Sequence, residues 1–178
     1  MADIPFVLKP QIWTRLTAIT GDTPDVFLFV NIASQLLLMV NNQNVGSAFP
    51  VSTSIFGVGN MAGSFKTPTG IHRIFEKIGA GAPEGRIFKD RQDTGIDWMS
   101  DMTGENLILT RILRLEGLEP DINKGPGIDS FERYIYIHGT NKEELIGTPM
   151  SHGCICMKNK DITELFDTVP EKTLVIID

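Results

Sequence analysis

The chain has 178 residues, and 42% of them are hydrophobic, which is enough to bury the core of one ordinary domain. The formal net charge is −6 and no basic run is present, which argues against a general nucleic-acid binder. No apolar run reaches the ~18 residues of a membrane helix, and the N-terminus lacks the charged head and apolar stretch of a secretory signal.

The N-terminal part begins with a segment whose structure the pattern leaves open. Residues 11–16 fit either a short helix or an extra strand that covers a sheet edge, and residues 1–24 are expected to be an extension packed on the main domain. From Asp25 the chain becomes strand-like, with short polar breaks between the runs VFLFVN, LLLMV and VGSAFPVSTS. This pattern predicts a β-meander.

The middle of the chain alternates predicted strands with loops. Residues 71–78 and 107–115 are predicted to be strands, and residues 79–105 between them are the least regular part of the chain. Long irregular segments in compact domains are often binding loops or lids. This one carries basic and large apolar side chains that are candidates for substrate contact: Arg86, Lys89, Arg91, Trp98 and Met99.

The C-terminal part is predicted to hold one helix and one buried strand. Residues 161–169 form the helix, in which Asp161 and Glu164 are placed as a capping box, and the run TLVIID closes the chain as the strand. Strands therefore dominate and helices are accessory. The prediction is a mainly β, sandwich-like or barrel-like domain with one or two short helices.

The stretch from residue 134 to residue 161 gathers both cysteines and two of the three histidines. Tyr134, Tyr136 and His138 alternate with two isoleucines, so a strand would send these three side chains to one face. The strand breaks at the glycine that follows, and a second candidate strand starts at Cys154. Two strand ends side by side would bring His138 within hydrogen-bond reach of Cys154.

A thiol beside an imidazole is a candidate nucleophile, because a free thiol titrates near ~8.5 and only the thiolate attacks carbonyls well. His138 is the better base, since His152 lies only two residues from Cys154 and its backbone is tied to that of the nucleophile. His152 is instead expected to shape the pocket or donate a hydrogen bond. The N–H groups of Gly153 and Cys154 are natural donors for a developing oxyanion.

The same residues also allow structural and metal-binding roles. The two cysteines are one residue apart, near the distance limit for a disulfide within a strand, so free thiols are expected. His138, His152, Cys154 and Cys156 also suit zinc as ligand types. Their spacing lacks the two-residue gaps of common zinc knuckles, so no metal and no cofactor is predicted.

The run H-G-T-N, followed by I-G and by S-H-G-C-I-x-M-x-N-x-D, resembles the L,D-transpeptidase catalytic domain, the YkuD-like family of bacterial cell-wall enzymes. Segments 50–53 and 67–70 also resemble the family's pattern, so the domain is placed at residues 25–178. Many relatives carry Arg or Asn at the position of Cys156. The resemblance implies that Cys154 is the nucleophile and His138 its base. It also implies that the carbonyl of Gly139 orients the imidazole and that Ser151 and His152 form part of the pocket wall.

The resemblance further implies a peptidoglycan L,D-transpeptidase that needs no cofactor. Cys154 would form a thioester with a donor stem tetrapeptide and release its terminal D-alanine, and the amine of an acceptor stem would then complete a 3→3 crosslink. An L,D-carboxypeptidase or amidase, with water as acceptor, is the nearest alternative. From a different functional class, a weakly active cell-wall-binding module stays open because of the change at Cys156.

The partners and the location are likewise expectations from the family. Donor and acceptor stem peptides of peptidoglycan are the expected partners, carbapenems the expected inhibitors, and a monomer the expected state. An enzyme of this family is expected to act in cell-wall biogenesis and cell shape, and therefore to lie in the periplasm or cell envelope. Since no secretory signal is visible in the chain, a cytoplasmic location also stays open.

Overall fold

Strands dominate the computed structural model, which describes residues 4, 5, 7–22, 24–102 and 106–178. The parts of the predicted N-terminal extension and loop at residues 1–3, 6, 23 and 103–105 lie outside the described residues. No helix in the described part of the chain is long and apolar enough to cross a membrane. The strands are β1 (Ile4–Pro5), β2 (Val26–Asn31), β3 (Leu36–Asn41), β4 (Asn44–Ser52), β5 (Gly70–Ile78), β6 (Arg86–Lys89), β7 (Gln92–Asp97), β8 (Ile108–Gly117), β9 (Tyr136–Gly139), β10 (Ile155–Met157) and β11 (Leu174–Ile177), and the helices are α1 (Pro10–Thr20) and α2 (Asn159–Thr168), with a 3₁₀ turn at Glu143–Leu145.

Eight strands close into a barrel in the order β5, β11, β2, β3, β4, β10, β9 and β8, and β8 pairs again with β5. Neighbours are antiparallel except for β2 with β11 and β9 with β10, which are parallel. Closure leaves these strands without a free edge. Hairpin β6–β7 extends the sheet from β8, and β1 pairs with β4. The predicted mainly β, barrel-like fold is confirmed, and the meander is formed by β2, β3 and β4.

Alternation along the strands builds two apolar layers. On β2, Leu28 and Val30 point into the barrel, where they join the main core, whereas Phe27 and Phe29 point outward. Helix α2 contributes Ile162, Leu165 and Phe166 to that main core. The interior is therefore packed with side chains and is not a channel.

Helix α1 covers part of the outer barrel surface. Ile12 and Leu16, one turn apart on the helix, are buried against Phe27 and Ile176 in the second apolar cluster. The segment 11–16, which the sequence pattern allowed to be either a helix or a strand, is thus part of a helix. The outward phenylalanines of β2 explain why, since they need an apolar cover that a helix stripe supplies.

Two local predictions are wrong. Helix α2 begins at Asn159, and its Lys158 N-cap makes no side-chain cap, so the proposed capping box at Asp161 and Glu164 does not form. The carboxylate of Glu143 accepts the Asn159 N–H instead, at 2.6 Å. The segment 79–105, expected to be irregular, contains hairpin β6–β7.

We expect Leu28→Ala to lower the free energy of unfolding by about 3 kcal/mol, because Leu28 is 0% exposed inside the barrel and its removal leaves a cavity. Val26→Ala on the same strand is the matched control. Val26 is 39% exposed, so its truncation should cost no more than about 0.5 kcal/mol. Urea unfolding followed by circular dichroism measures both, and equal losses would contradict the described inward face of β2.

Candidate active site

The two thiols and the imidazole lie on the outer face of the barrel wall. Strands β9 and β10 pair in parallel, with Ile137 opposite Ile155 and His138 opposite Cys156. Both isoleucines belong to the main core, so their neighbours in the chain point outward. Cys154, just before β10, packs against an outer apolar cluster that consists of Phe88, Ile112 and Tyr136, with Ile78, Ala82 and Ile108 at its border.

His138 is held as a neutral base. Its Nδ1 lies 2.8 Å from the carbonyl oxygen of Gly139, and because a carbonyl only accepts, Nδ1 carries the proton and Nε2 the lone pair. Burial lowers the pKa of His138 to about 4, although the hydrogen bond to Gly139 acts in the opposite direction. At neutral pH the Nε2 lone pair is therefore available to accept a proton.

The sulfur at hydrogen-bond distance from His138 is that of Cys156, 3.8 Å from Nε2. Cys156 is 0% exposed, and burial raises the pKa of its thiol to about 12, so the S–H proton is present to donate to Nε2. The amide of Asn106 also donates to this sulfur at 3.3 Å, and Thr140 holds Asn106 through a 2.6 Å hydrogen bond. Cys156 is thus fixed by two polar neighbours.

Cys154 is half-buried, and its Sγ donates to the carbonyl of Tyr134 at 3.5 Å. No hydrogen bond joins it to His138 among the residues that the structure describes, which differs from the contact that the sequence suggested. The register explains the difference, because it places Cys156 opposite His138. Burial raises the pKa of the Cys154 thiol to about 11, opposed by a backbone hydrogen bond from Tyr136 and by the charge of Arg133.

A tight turn leads into Cys154. Ser151 Oγ donates to the Cys154 carbonyl at 2.6 Å and accepts the Gly153 N–H at 3.2 Å. Gly153 has φ +127°, a conformation that other L residues rarely adopt, so glycine is required here. The Gly153 N–H, which the sequence offered to an oxyanion, is already bound to Ser151.

His152 lies away from His138 and lines a cavity of about 360 Å³ with Phe65, Arg133 and Ile135. Its ring centroid lies 5.6 Å from that of Phe56 and 5.9 Å from that of Phe65. Arg133 donates to the carbonyls of residues 59, 60 and 66, which tethers this cavity wall to the segment before Tyr134. The predicted site residues therefore form two separate groups. His138 lies beside Cys156, whereas His152 lines the cavity.

Within the described ranges, no group of three His, Cys, Asp or Glu side chains converges on a point that could hold an ion. The reason is visible in the geometry, since His138 faces Cys156 whereas His152 faces two phenylalanine rings.

Sequence reasoning missed several neighbours of the thiols. Asn106 is 50 residues before Cys156, and Arg91 donates to the Tyr136 hydroxyl at 3.2 Å from a different hairpin. No local pattern around either residue indicates such a contact. Arg133 was within reach of sequence reasoning, because it lies only three residues before β9, the strand that carries His138.

Comparison with known proteins assigns a family to this geometry. A family model described as YkuD, the L,D-transpeptidase catalytic domain, matches residues 25–177. YqjB of Bacillus subtilis, which carries the name of an L,D-transpeptidase, is 41% identical over 69 residues, or 35% of this chain and 39% of YqjB. YbiS of Escherichia coli carries the same enzyme name and is 49% identical over 43 residues, or 24% of this chain and 14% of YbiS. The matches thus span well under two thirds of either relative.

Solved structures of L,D-transpeptidases share the fold. One from Xylanimonas cellulosilytica aligns with a TM-score of 0.51 and 19% identity, covering 97% of this chain and 71% of that one. One from Enterococcus faecium aligns with a TM-score of 0.54 and 16% identity, covering 87% and 50%. At these identities the likeness concerns the fold alone.

The buried, protonated state of both thiols predicts how they react with iodoacetamide. Since thiolate is the reactive form and the pKa of Cys154 is raised to about 11, its alkylation rate should rise about tenfold per pH unit from pH 6 to 9 without a plateau. Cys156, with 0% exposure, should be modified far more slowly. Peptide mapping by mass spectrometry measures both rates. A plateau below pH 8 for Cys154 would instead indicate a resting thiolate–imidazolium pair.

Proposed function

Because the chain belongs to the YkuD family of L,D-transpeptidase catalytic domains, we propose that it acts on peptidoglycan stem peptides, with Cys154 as acylated nucleophile and His138 as its base. The observation that carries the proposal is a solvent-reaching thiol on the same barrel face as a buried neutral imidazole. Gly139 orients that imidazole, and Ser151, His152 and Gly153 shape the turn and the pocket wall.

Access favours Cys154 over Cys156 as the nucleophile. Cys156 touches the base, but it is 0% exposed and a peptide carbonyl has no path to its sulfur in this arrangement. Cys154 is half-buried and immediately precedes the first residue of β10, where a substrate can approach. The resemblance of the S-H-G-C run to the family's motif supports the same choice.

Proton transfer accompanies the attack. In the resting state both thiols and the imidazole are neutral, because burial disfavours every charged form. The Cys154 side chain turns from the Tyr134 carbonyl toward Nε2 of His138. The Cys156 thiol breaks its contact with that nitrogen at the same time. His138 then takes the proton as the carbon–sulfur bond forms, which is general-base catalysis without a preformed ion pair.

The reaction balances over two half-reactions. In the first, the Cys154 sulfur bonds to the carbonyl of the diamino-acid residue, the amide bond to the terminal D-alanine breaks, and His138 returns the proton to the departing amine. In the second, the amine of an acceptor stem attacks the thioester and loses a proton to His138, which reprotonates the departing sulfur. The product is a 3→3 crosslink, and water in place of the amine would give the L,D-carboxypeptidase outcome.

Cys154→Ala should abolish both D-alanine release and covalent adduct formation with a carbapenem, a loss of at least about 10³-fold in rate. Cys156→Ser, which keeps a small donor beside His138, should retain adduct formation within about tenfold. Intact mass spectrometry and a D-alanine assay read these out. If Cys154→Ala still forms the adduct and Cys156→Ser does not, the nucleophile is Cys156. If the wild-type protein forms no adduct, the protein is a cell-wall-binding module and not an enzyme.

Defined tetrapeptide muropeptides separate transfer from hydrolysis. The expected product is a dimer formed together with an equimolar amount of D-alanine, detected by liquid chromatography and mass spectrometry. His138→Ala should slow this reaction by about 10² to 10⁴-fold, since a positioned base contributes that range. D-Alanine without a dimer, at every acceptor concentration, would assign the hydrolase.

A further inference from the structure

Hairpin β6–β7 places one cation above the tyrosines that flank the nucleophile. Arg91 lies in the hairpin turn, and its guanidinium carbon is 4.9 Å from the ring centroid of Tyr134. Arg114 stacks on the same ring at 5.6 Å. Such stacking holds a planar guanidinium in a fixed orientation. Tyr134 itself is 52% exposed, so this assembly faces solvent.

Arg91 has no carboxylate partner among the described residues. Its hydrogen bond goes to a neutral group, the hydroxyl of Tyr136, at 3.2 Å. By contrast, Arg86 in the same hairpin is bound by two carboxylates, and Arg133 is occupied by three backbone carbonyls. A guanidinium carries five N–H donors, so most of those on Arg91 remain free for an anion.

Tyr136 supplies a second donor at the same place. The residue is 4% exposed, and its hydroxyl accepts from Arg91 but donates to no acceptor within the described ranges. Because the hydroxyl oxygen accepts from Arg91, its O–H proton can be donated to an anion that lies beside the guanidinium. Burial also raises the pKa of Tyr136, which keeps this donor protonated.

These donors lie next to the proposed nucleophile. Cys154 packs against Tyr136 in the outer apolar cluster, and its Sγ is bound to the carbonyl of Tyr134. In a peptide, the carboxylate carbon of a C-terminal residue is three bonds from the preceding carbonyl carbon, a span of at most about 4 Å. A carbonyl under attack by Cys154 therefore carries its terminal carboxylate into the neighbourhood of the two tyrosines and Arg91.

We propose that Arg91 and the Tyr136 hydroxyl bind the terminal carboxylate of the donor stem peptide, with Tyr134 as the stacking platform for the guanidinium. This inference rests on the proposed function and adds the residues that recognise the terminal carboxylate of its donor. It also shows how a chain of net charge −6 holds an anionic substrate, since the attraction is local. Arg91 and Tyr136 position the scissile carbonyl over Cys154.

A pair of substrates tests the carboxylate directly. Wild type should prefer a tetrapeptide stem ending in D-alanine over the same stem ending in D-alaninamide by about tenfold or more in kcat/KM, as expected for a charge-assisted hydrogen bond. Arg91→Gln and Tyr136→Phe should each reduce that preference by raising KM for the acid only. Lys172→Gln, which removes an exposed cation from the turn before β11, is the control and should leave the preference unchanged.

A chemical probe tests the anion site without any turnover. The ratio of Cys154 alkylation rates with iodoacetate and iodoacetamide should fall about tenfold in Arg91→Gln and not in Lys172→Gln, because the two reagents differ only in carrying a carboxylate or a neutral amide.

The outcomes separate the two proposals. If Arg91→Gln keeps the wild-type ratio in both assays, the carboxylate site is wrong even where crosslinking is observed. If wild type releases no D-alanine from either stem while the alkylation ratio still responds to Arg91, the anion site stands and the proposed function, with its assignment to a donor stem, fails.

Discussion

The parallel pairing of β9 with β10 is the constraint on which the site depends. These strands have four and three residues, and they are held because Ile137, Ile155 and Met157 are buried in the barrel core. A slip of one residue would send the isoleucines outward and the imidazole inward, at the cost of the core. The register therefore fixes His138 opposite Cys156 and leaves Cys154 just before the start of β10.

Burial gives this site a neutral resting state. The hairpin and the outer apolar cluster cover the wall, so the thiols stay protonated and the imidazole unprotonated. A thiol in that state reacts slowly with electrophiles, because the thiolate is the reactive form. The hydrogen bonds from Thr140 through Asn106 to Cys156 keep the second thiol in a defined place beside the base.

Local chemistry explains which parts of the fold were predictable. The runs of β2 to β4 are apolar and separated by short polar turns, so their pairing follows from neighbouring residues. Hairpin β6–β7 escaped prediction because every residue of β7 is exposed and its composition shows no alternation. The cap of α2 escaped because its acceptor, Glu143, comes from a separate turn and not from the helix's own first residues.

The sequence by itself determined the chemical groups of the site, because the histidine–glycine pair and the S-H-G-C turn are contiguous and their backbone requirements, such as the positive φ of Gly153, are local. Only the tertiary structure decided which sulfur faces the imidazole and which cation contacts the two tyrosines beside Cys154. Both depend on the register of strands that are distant in the chain. That register is set by burial of the whole barrel core, which no short stretch of residues encodes.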